Sequence, residues 1–183
     1  MKKVLILFAN GTEEVEALTP LDYLRRAGAD VTLVGVGGEY PVGSHGITVK
    51  ADATLDALDQ SVEFDMLVIP GGMPGTNNIE ASEKAQALIT RAEKEHKLIG
   101  AICAAPKILG ARGILNGKKA TCYPGFEKYL AGATVENKKA VCDGNIITAT
   151  GAGAANEFAL ALISALDGED TAEKIGASVR FII

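Results

Sequence analysis

The sequence predicts an α/β fold, a mostly parallel sheet covered by helices on both faces. Three observations carry that prediction. Short apolar runs recur along the 183 residues, segments of helical pattern lie between them, and hydrophobic residues make up 48% of the chain. An alternation of that kind is how parallel strands and their crossover helices are written in sequence. At this length folding buries roughly 70% of the unfolded chain's surface, so the core needs no disulfide or metal to hold it.

The first run, Val4-Leu5-Ile6-Leu7-Phe8-Ala9, follows Lys2-Lys3 and superficially resembles a signal peptide. It is only six residues long and meets Glu13, Glu14 and Glu16 at once, so it reads as a buried strand over 2–9. Glu13–Ala27 then reads as a helix, with acids in its first turn, Arg25-Arg26 in its last and Gly28 as its stop. Further strands are expected at 30–36, 65–70, 97–102 and 145–149, with edge candidates at 46–50, 119–122 and 133–135. Ser82–Glu95 is a helix with Ala85, Leu88, Ile89 and Ala92 on one stripe. Ala104–Ala111, Gly153–Leu166 and Ala172–Val179 supply three more. Gly37–Lys50, with four Gly and Pro41, is expected as an irregular hairpin or loop. Asp143-Gly144 marks the turn of another hairpin. No repeat, low-complexity tract or linker interrupts the chain, so residues 1–183 read as one domain.

Composition narrows the function classes. The net charge is −5 and Lys and Arg form no dense stripe, which disfavours nucleic acid or an anionic membrane as partner. No stretch approaches the ~20 apolar residues of a membrane span. Three widely spaced Cys point to a reducing cytoplasm. Any imidazole chemistry must use His45 or His96, since the chain has two His.

In parallel α/β sheets ligands bind at the carboxyl ends of the strands. Three loops fall there. The most informative is Leu98-Ile99-Gly100-Ala101-Ile102-Cys103-Ala104-Ala105-Pro106, an apolar strand delivered into a helix with a Cys at the junction. A nucleophile elbow needs small residues two before and two after the nucleophile, and Ala101 and Ala105 meet that need. Pro106 suits a first helical turn, where its missing N–H is no loss. A thiol facing the positive end of the helix dipole is expected to fall from about 8.5 into the range of roughly 3.5–7.5. The same nonapeptide also fits an ordinary buried Cys in an Ala-rich junction.

The second loop, Asn10-Gly11-Thr12-Glu13-Glu14-Val15-Glu16, places three carboxylates directly after the first strand. Glu13 and Glu14 need no role beyond compensating the helix dipole. Glu16 differs, because Pro20 cannot donate to its carbonyl. The helix is therefore expected to kink or break there and turn the Glu16 carboxylate into a cleft, with Val15, Leu18 and Leu24 on the packed face. The third loop is Pro70-Gly71-Gly72-Met73-Pro74-Gly75-Thr76, where Gly71 and Gly72 can present N–H groups to an oxyanion or simply make a tight turn. No Lys-Ser or Lys-Thr follows for a phosphate loop, and Gly151-Ala152-Gly153 lacks the third Gly of a dinucleotide fingerprint. No cofactor is assigned. Without Cys-x-x-Cys or His-Glu-x-x-His, no metal site is assigned either.

Together, Asn-Gly-Thr-Glu-Glu-Val-Glu after the first strand, Val-Ile-Pro-Gly-Gly-Met-Pro-Gly and Ala-Ile-Cys-Ala-Ala-Pro resemble the ThiJ/PfpI superfamily, most closely its parkinsonism-associated deglycase branch. The similarity includes Arg25-Arg26-Ala27-Gly28, Ser44-His45-Gly46 and Thr150-Gly151-Ala152-Gly153. The resemblance implies a flavodoxin-like three-layer sandwich, a homodimer, Cys103 as reactive thiol, Glu16 as its carboxyl partner, and the Gly72 and Ala104 amides as the oxyanion site. It also departs from relatives. Ala104 stands where the protease-like branch has His, and Tyr123 where several deglycase-branch members have one.

His96 cannot substitute, since seven residues of strand at about 3.3 Å each separate it from Cys103 by some 20 Å. His45 lies in the loop-rich segment as a surface or interface residue able to approach the cleft, and Tyr123 is a possible cleft wall. A peptidase triad is thus not expected. The expected activity is cofactor-independent processing of 2-oxoaldehydes such as methylglyoxal, or of their adducts on glycated protein, by Cys103 and a protonated Glu16. The alternative from another class is a redox sensor or holdase chaperone that oxidises Cys103. Cys122 and Cys142 read as structural.

Overall fold

In the computed structural model, which describes residues 1–59 and 61–181, a seven-stranded sheet organises the chain. Of the predicted 1–183 unit, Gln60, Ile182 and Ile183 lie outside the described residues. The strands are β1 (Lys3–Ala9), β2 (Asp30–Val36), β3 (Ala53–Thr54), β4 (Met66–Ile69), β5 (Leu98–Ile102), β6 (Lys119–Ala120), β7 (Thr134–Val135), β8 (Ala140–Asp143) and β9 (Ile146–Ala149). The helices are α1 (Glu14–Arg26), α2 (Gly75–Ala81), α3 (Glu83–Lys94), α4 (Pro106–Ala111), α5 (Ala155–Asp167) and α6 (Glu169–Ser178).

The sheet order is β3-β2-β1-β4-β5-β9-β8, parallel except for the β8–β9 hairpin. Alternation along each strand sorts side chains into two cores. Leu5, Leu7, Leu67, Ile69, Ile99 and Ala101 face α3 and α4, which bring Leu88, Ile89, Ile108 and Leu109. Val4, Ile6, Phe8, Met66, Val68 and Ile102 face α1 and α5, which bring Ala17, Leu24, Phe158 and Leu162. Gly100 makes the second layer possible. A Cβ there would stand 2.6 Å from Leu162 Cδ2 and 3.1 Å from Phe158 Cζ, so only a bare backbone lets α5 settle onto β5.

Several expectations are corrected. Residues 46–50 form no strand and keep only an isolated bridge between Val42 and Thr48, within the irregular loop expected for 37–50. The candidates at 119–122 and 133–135 shorten to β6 and β7 and pair with each other in a separate two-stranded sheet rather than on the main sheet's edge. The Gly-rich loop after β4 runs straight into α2. Helix α1 continues unbroken through Pro20, because the missing donor removes one bond close to the helix start and packing of Ala17, Tyr23 and Leu24 holds the rest. Val15, expected on the packed face, is 45% exposed.

Candidate active site

Cys103 follows the last residue of β5 and has φ of +66°, a left-handed conformation that a non-glycine residue adopts only under constraint. Its N–H donates to the Ala149 carbonyl of β9 at 2.9 Å, and its own carbonyl accepts the Tyr123 N–H at 2.8 Å. These two bonds and the buried Ala104, Ala105 and Pro106 hold the sharp turn that the sequence predicted as an elbow.

Glu16 reaches this point from α1. It is 1% exposed and lies on the helix's buried face with Ala17, Pro20, Tyr23 and Leu24. Helical register, rather than a kink at Pro20, turns it inward. Its Oε2 accepts the Gly71 N–H at 2.9 Å, and it also hydrogen-bonds the Ala152 amide and the Cys103 thiol. The Gly71 amide is thereby committed to Glu16, which corrects its expected place beside Gly72 in an oxyanion site. No side chain fits at Gly71, since a Cβ would stand 2.5 Å from Cys103 Cβ and 2.6 Å from Glu16 Oε2. The Gly72 and Ala104 amides both hydrogen-bond the Cys103 sulfur. Gly72 has φ of +85°, and a Cβ there would fall 2.3 Å from the Glu13 nitrogen, so the loops after β1 and β4 meet backbone to backbone.

The electrostatics depart from the sequence expectation. Burial pushes the Glu16 carboxyl up to about 7, against the pull of hydrogen bonds from Cys103, Gly71 and Ala152. Burial and the Glu16 charge push the Cys103 thiol up to about 12, against the pull of the Gly72 and Ala104 amides. A dipole-lowered thiol is therefore not what the fold builds. Helix α4 starts only at Pro106, is six residues long, and stands behind a sulfur that shares its burial with a carboxylate. Near neutrality the thiol keeps its proton while Glu16 is only partly ionised, and a thiolate forms when the Cys103 proton passes to an ionised Glu16.

Tyr123 lies at the rim. The Thr121 N–H donates to the buried Thr148 Oγ1 at 2.9 Å, which ties the segment to β9, and the Tyr123 ring is 50% exposed. A Cβ on Gly151 would stand 3.2 Å from Tyr123 Cδ2 and 3.8 Å from Glu16 Oε1, so ring and carboxyl flank the same point. His45 belongs to a neighbouring cluster instead. Its exposed ring has Nδ1 3.1 Å from Glu14 Oε2 and 3.4 Å from Glu13 Oε2.

Glu14 is a residue that sequence reasoning underrated. It is 3% exposed, and its Oε1 accepts the His45 N–H at 2.9 Å and the Ile47 N–H at 3.4 Å. Burial opposes its charge, but hydrogen bonds from its own amide, from the His45 amide and ring and from the Ile47 amide outweigh that and take it down to about 2. It anchors the 37–50 loop to α1. The available signal was the pairing of Glu13-Glu14 with Ser44-His45, residues too far apart in sequence to connect without the fold. Among the described residues, Glu13, Glu14 and His45 bring candidate metal-ligand atoms within 4.8 Å of one another, though Glu14 already spends its oxygens on the loop.

The larger clefts lie elsewhere, one of about 530 Å³ at the amino ends of the strands beside Lys2 and Asp167, another of about 580 Å³ between α5 and α6. Neither contains a group as perturbed as the Cys103–Glu16 pair, which makes the elbow the candidate site. Cys122 is buried and Cys142 exposed, and neither is disulfide-bonded.

The comparisons with known proteins agree with this fold. The DJ-1/PfpI family matches residues 2–165. Protein DJ-1 homolog A of Arabidopsis thaliana is 39% identical over 180 residues, 96% of this chain but 46% of that protein, so the chain spans about half of that relative's length. Deglycase PH1704 of Pyrococcus horikoshii is 36% identical over 148 residues, 80% of this chain and 88% of its own. The solved structure of oxidized Toxoplasma gondii DJ-1 superposes with a TM-score of 0.95 at 36% identity, covering 100% of both chains. Its flavodoxin-like sandwich is the fold described above. Motif order, architecture and sequence identity therefore converge, and the chain belongs to the DJ-1/PfpI family.

Proposed function

We propose that this protein converts reactive 2-oxoaldehydes, or their adducts on glycated protein, by cysteine chemistry without a cofactor. The observation that carries the proposal is the buried Cys103–Glu16 pair at a strained elbow, with two amides converging on the sulfur. With the Cys103 proton passed to Glu16, the thiolate attacks the aldehyde carbon, and an S–C bond forms as the C=O π pair moves to oxygen. The Gly72 and Ala104 amides, relieved of the sulfur's charge, hold that oxygen while Glu16 delivers its proton to it. The Glu16 carboxylate then removes the proton from the former aldehyde carbon and returns it to the adjacent carbon, while the hydroxyl proton on the first oxygen passes to the oxygen of that adjacent carbon, which leaves a 2-hydroxy thioester. Water cleaves the thioester to a 2-hydroxy acid and restores the thiol. Atoms balance with water as the sole co-reactant. The deglycase name of the Pyrococcus relative supports a reaction in this class.

A second reading has its own support. One structural relative is described as oxidized. A carboxyl protonated near neutrality also suits a sulfinate, formed when two peroxides each transfer one oxygen to Cys103 and leave as water. Glutathione-free turnover of methylglyoxal separates the two. Lactate formation that disappears in Cys103→Ser and Glu16→Gln supports the enzyme. Absence of turnover in the parent, with clean oxidation of Cys103 by mild peroxide, supports the sensor and overturns the enzyme.

The homodimer implied by the resemblance belongs to the same proposal. Val15 and Ile47, 45% and 53% exposed, line a cleft together with Leu18 and Tyr23 on the outer side of α1, an apolar face suited to a second copy. Sedimentation of the parent against Val15→Lys tests it, with a shift to monomer expected. No helix among the described residues is long and apolar enough to cross a membrane.

A further inference from the structure

The cleft of about 580 Å³ between α5 and α6 has the size of a small-ligand site and takes no part in the chemistry above. Leu160 of α5 and Phe181, just past the end of α6, give it apolar walls. Gly176 forms its floor, where an added Cβ would already touch Leu160 Cδ1 at 3.4 Å. No residue of this cleft lines the outer face of α1 proposed for a second copy.

The charge along its rim has one sign. Glu169 and Glu173 line the cleft, no Lys or Arg does, and neither carboxylate forms an ion pair among the described residues. Glu169 stands in the first turn of α6, where compensation of the helix dipole accounts for it. Glu173 stands one turn further on, past the reach of that dipole, and repels Glu169 across the i,i+4 spacing on the same face. The neighbouring cations do not cancel the pair. Lys174 shares another face of α6 with Asp170, again at i,i+4, and Arg180 follows the end of the helix in left-handed backbone. Ser164 brings a hydroxyl to the lining near the carboxyl end of α5, whose last turn carries no base and whose dipole favours positive charge there. Two like charges held beside apolar walls are a cost to the free protein that a bound cation removes.

We propose that this cleft binds a small organic cation, a primary ammonium carried on a compact apolar body. The body occupies the space between Leu160, Gly176 and Phe181, and the ammonium, which donates three hydrogen bonds, is received by Glu169, Glu173 and the Ser164 hydroxyl. A neutral molecule of the same shape leaves the two carboxylates facing each other, and an anion is repelled by both. Binding involves no covalent step and does not depend on the reading of Cys103.

The chain has no Trp, so Phe181→Trp places a single fluorophore in the cleft. Cyclohexylmethylamine, cyclohexylmethanol and cyclohexanecarboxylate share one body and differ in charge, and each is titrated into that variant at neutral pH. The amine is expected to bind saturably and about three- to thirty-fold more tightly than the alcohol, with the carboxylate weakest. Glu173→Gln in the same background should bring the amine close to the alcohol. Asp170→Asn, the same loss of charge on another face of α6, should leave the preference in place. Amide NMR of the parent reads the site independently, with amine-dependent shifts expected at Ser164, Glu173 and Gly176. If Phe181→Trp does not fold, NMR titration of the parent and of Glu173→Gln gives the same ratios. Equal affinity for amine and alcohol, a preference that survives Glu173→Gln or one lost equally in Asp170→Asn overturns the proposal. So does a parent spectrum in which those three amides stay still.

Discussion

Replacing Glu16 with Gln should make the protein more stable at alkaline pH while it destroys the site. Glu16 is 1% exposed, and burial takes its carboxyl from 4.5 up to about 7. In the unfolded chain the group titrates at its ordinary value, so between pH 4.5 and about 7 the folded protein keeps a proton that the unfolded chain has lost. Folding is thus favoured by the neutral acid below pH 4.5, and that advantage drains away as the pH rises through the folded value. The displacement corresponds to about 3 kcal/mol. Gln has nearly the same shape, its amide oxygen still accepts the Gly71 N–H, and it never ionises. Melting curves of parent and Glu16→Gln should therefore nearly coincide at pH 4 and separate progressively to pH 8.5. At about 2–4 °C per kcal/mol for a chain of this size, the variant should end about 6–12 °C higher. Differential scanning calorimetry across that range reads the trend directly. A gap that stays constant with pH, or a variant less stable at pH 8.5, would refute the claim that burial holds Glu16 protonated.

Other consequences are as direct. Gly71→Ala should lower Tm by about 2–12 °C through overpacking of about 1–3 kcal/mol, and turnover by about 100-fold through displacement of Glu16 from the sulfur; parental values for both would contradict the contacts at Gly71. Gly100→Ala, whose added methyl meets α5 rather than Cys103 or Glu16, should cost similar stability by pushing Leu162 off β5, while turnover at a permissive temperature stays near the parent's. Glu14→Ala should free the 37–50 loop, seen as faster amide exchange at His45 and Ile47, whose N–H groups it accepts. Because its carboxyl is held down to about 2, Glu14 stabilises the fold fully above pH 4.5 and loses that contribution as the pH falls through the folded value, opposite in sign to Glu16. Acid titration of the parent against Glu14→Gln, followed by circular dichroism, should show the variant with the shallower loss.

Much of the architecture was legible because the signals are local. A parallel strand buried on both faces needs a nearly continuous apolar run, and β1, β4 and β5 have one, while β2 and β9 are each interrupted by a single Thr, Thr32 and Thr148. The elbow was legible for the same reason, since the close approach of strand and helix demands small residues on either side of Cys103. The short strands β6 and β7 were placed only roughly, because two residues carry no period and their pairing depends on where the chain between them goes. Glu16 was selected on the wrong ground. Pro20 does not bend α1, and what matters is that Glu16 shares the face of Ala17 and Leu24.

By itself the sequence determined the main alternation of parallel strands and helices, though not β3 or α2, together with the Cys at the strand-to-helix junction, the glycines opposite it and the poverty in imidazole that leaves a carboxyl as the thiol's partner. Tertiary structure alone decided how those groups ionise. The dipole of α4 would have lowered the thiol, but burial of two acids against each other raised both, and burial belongs to the assembled layers rather than to any segment. It also decided that Glu14 is a buried tether rather than a solvated helix start, and that Gly71 serves Glu16 rather than an oxyanion. Both depend on loops separated by dozens of residues, and only the closed sheet brings such loops to one edge.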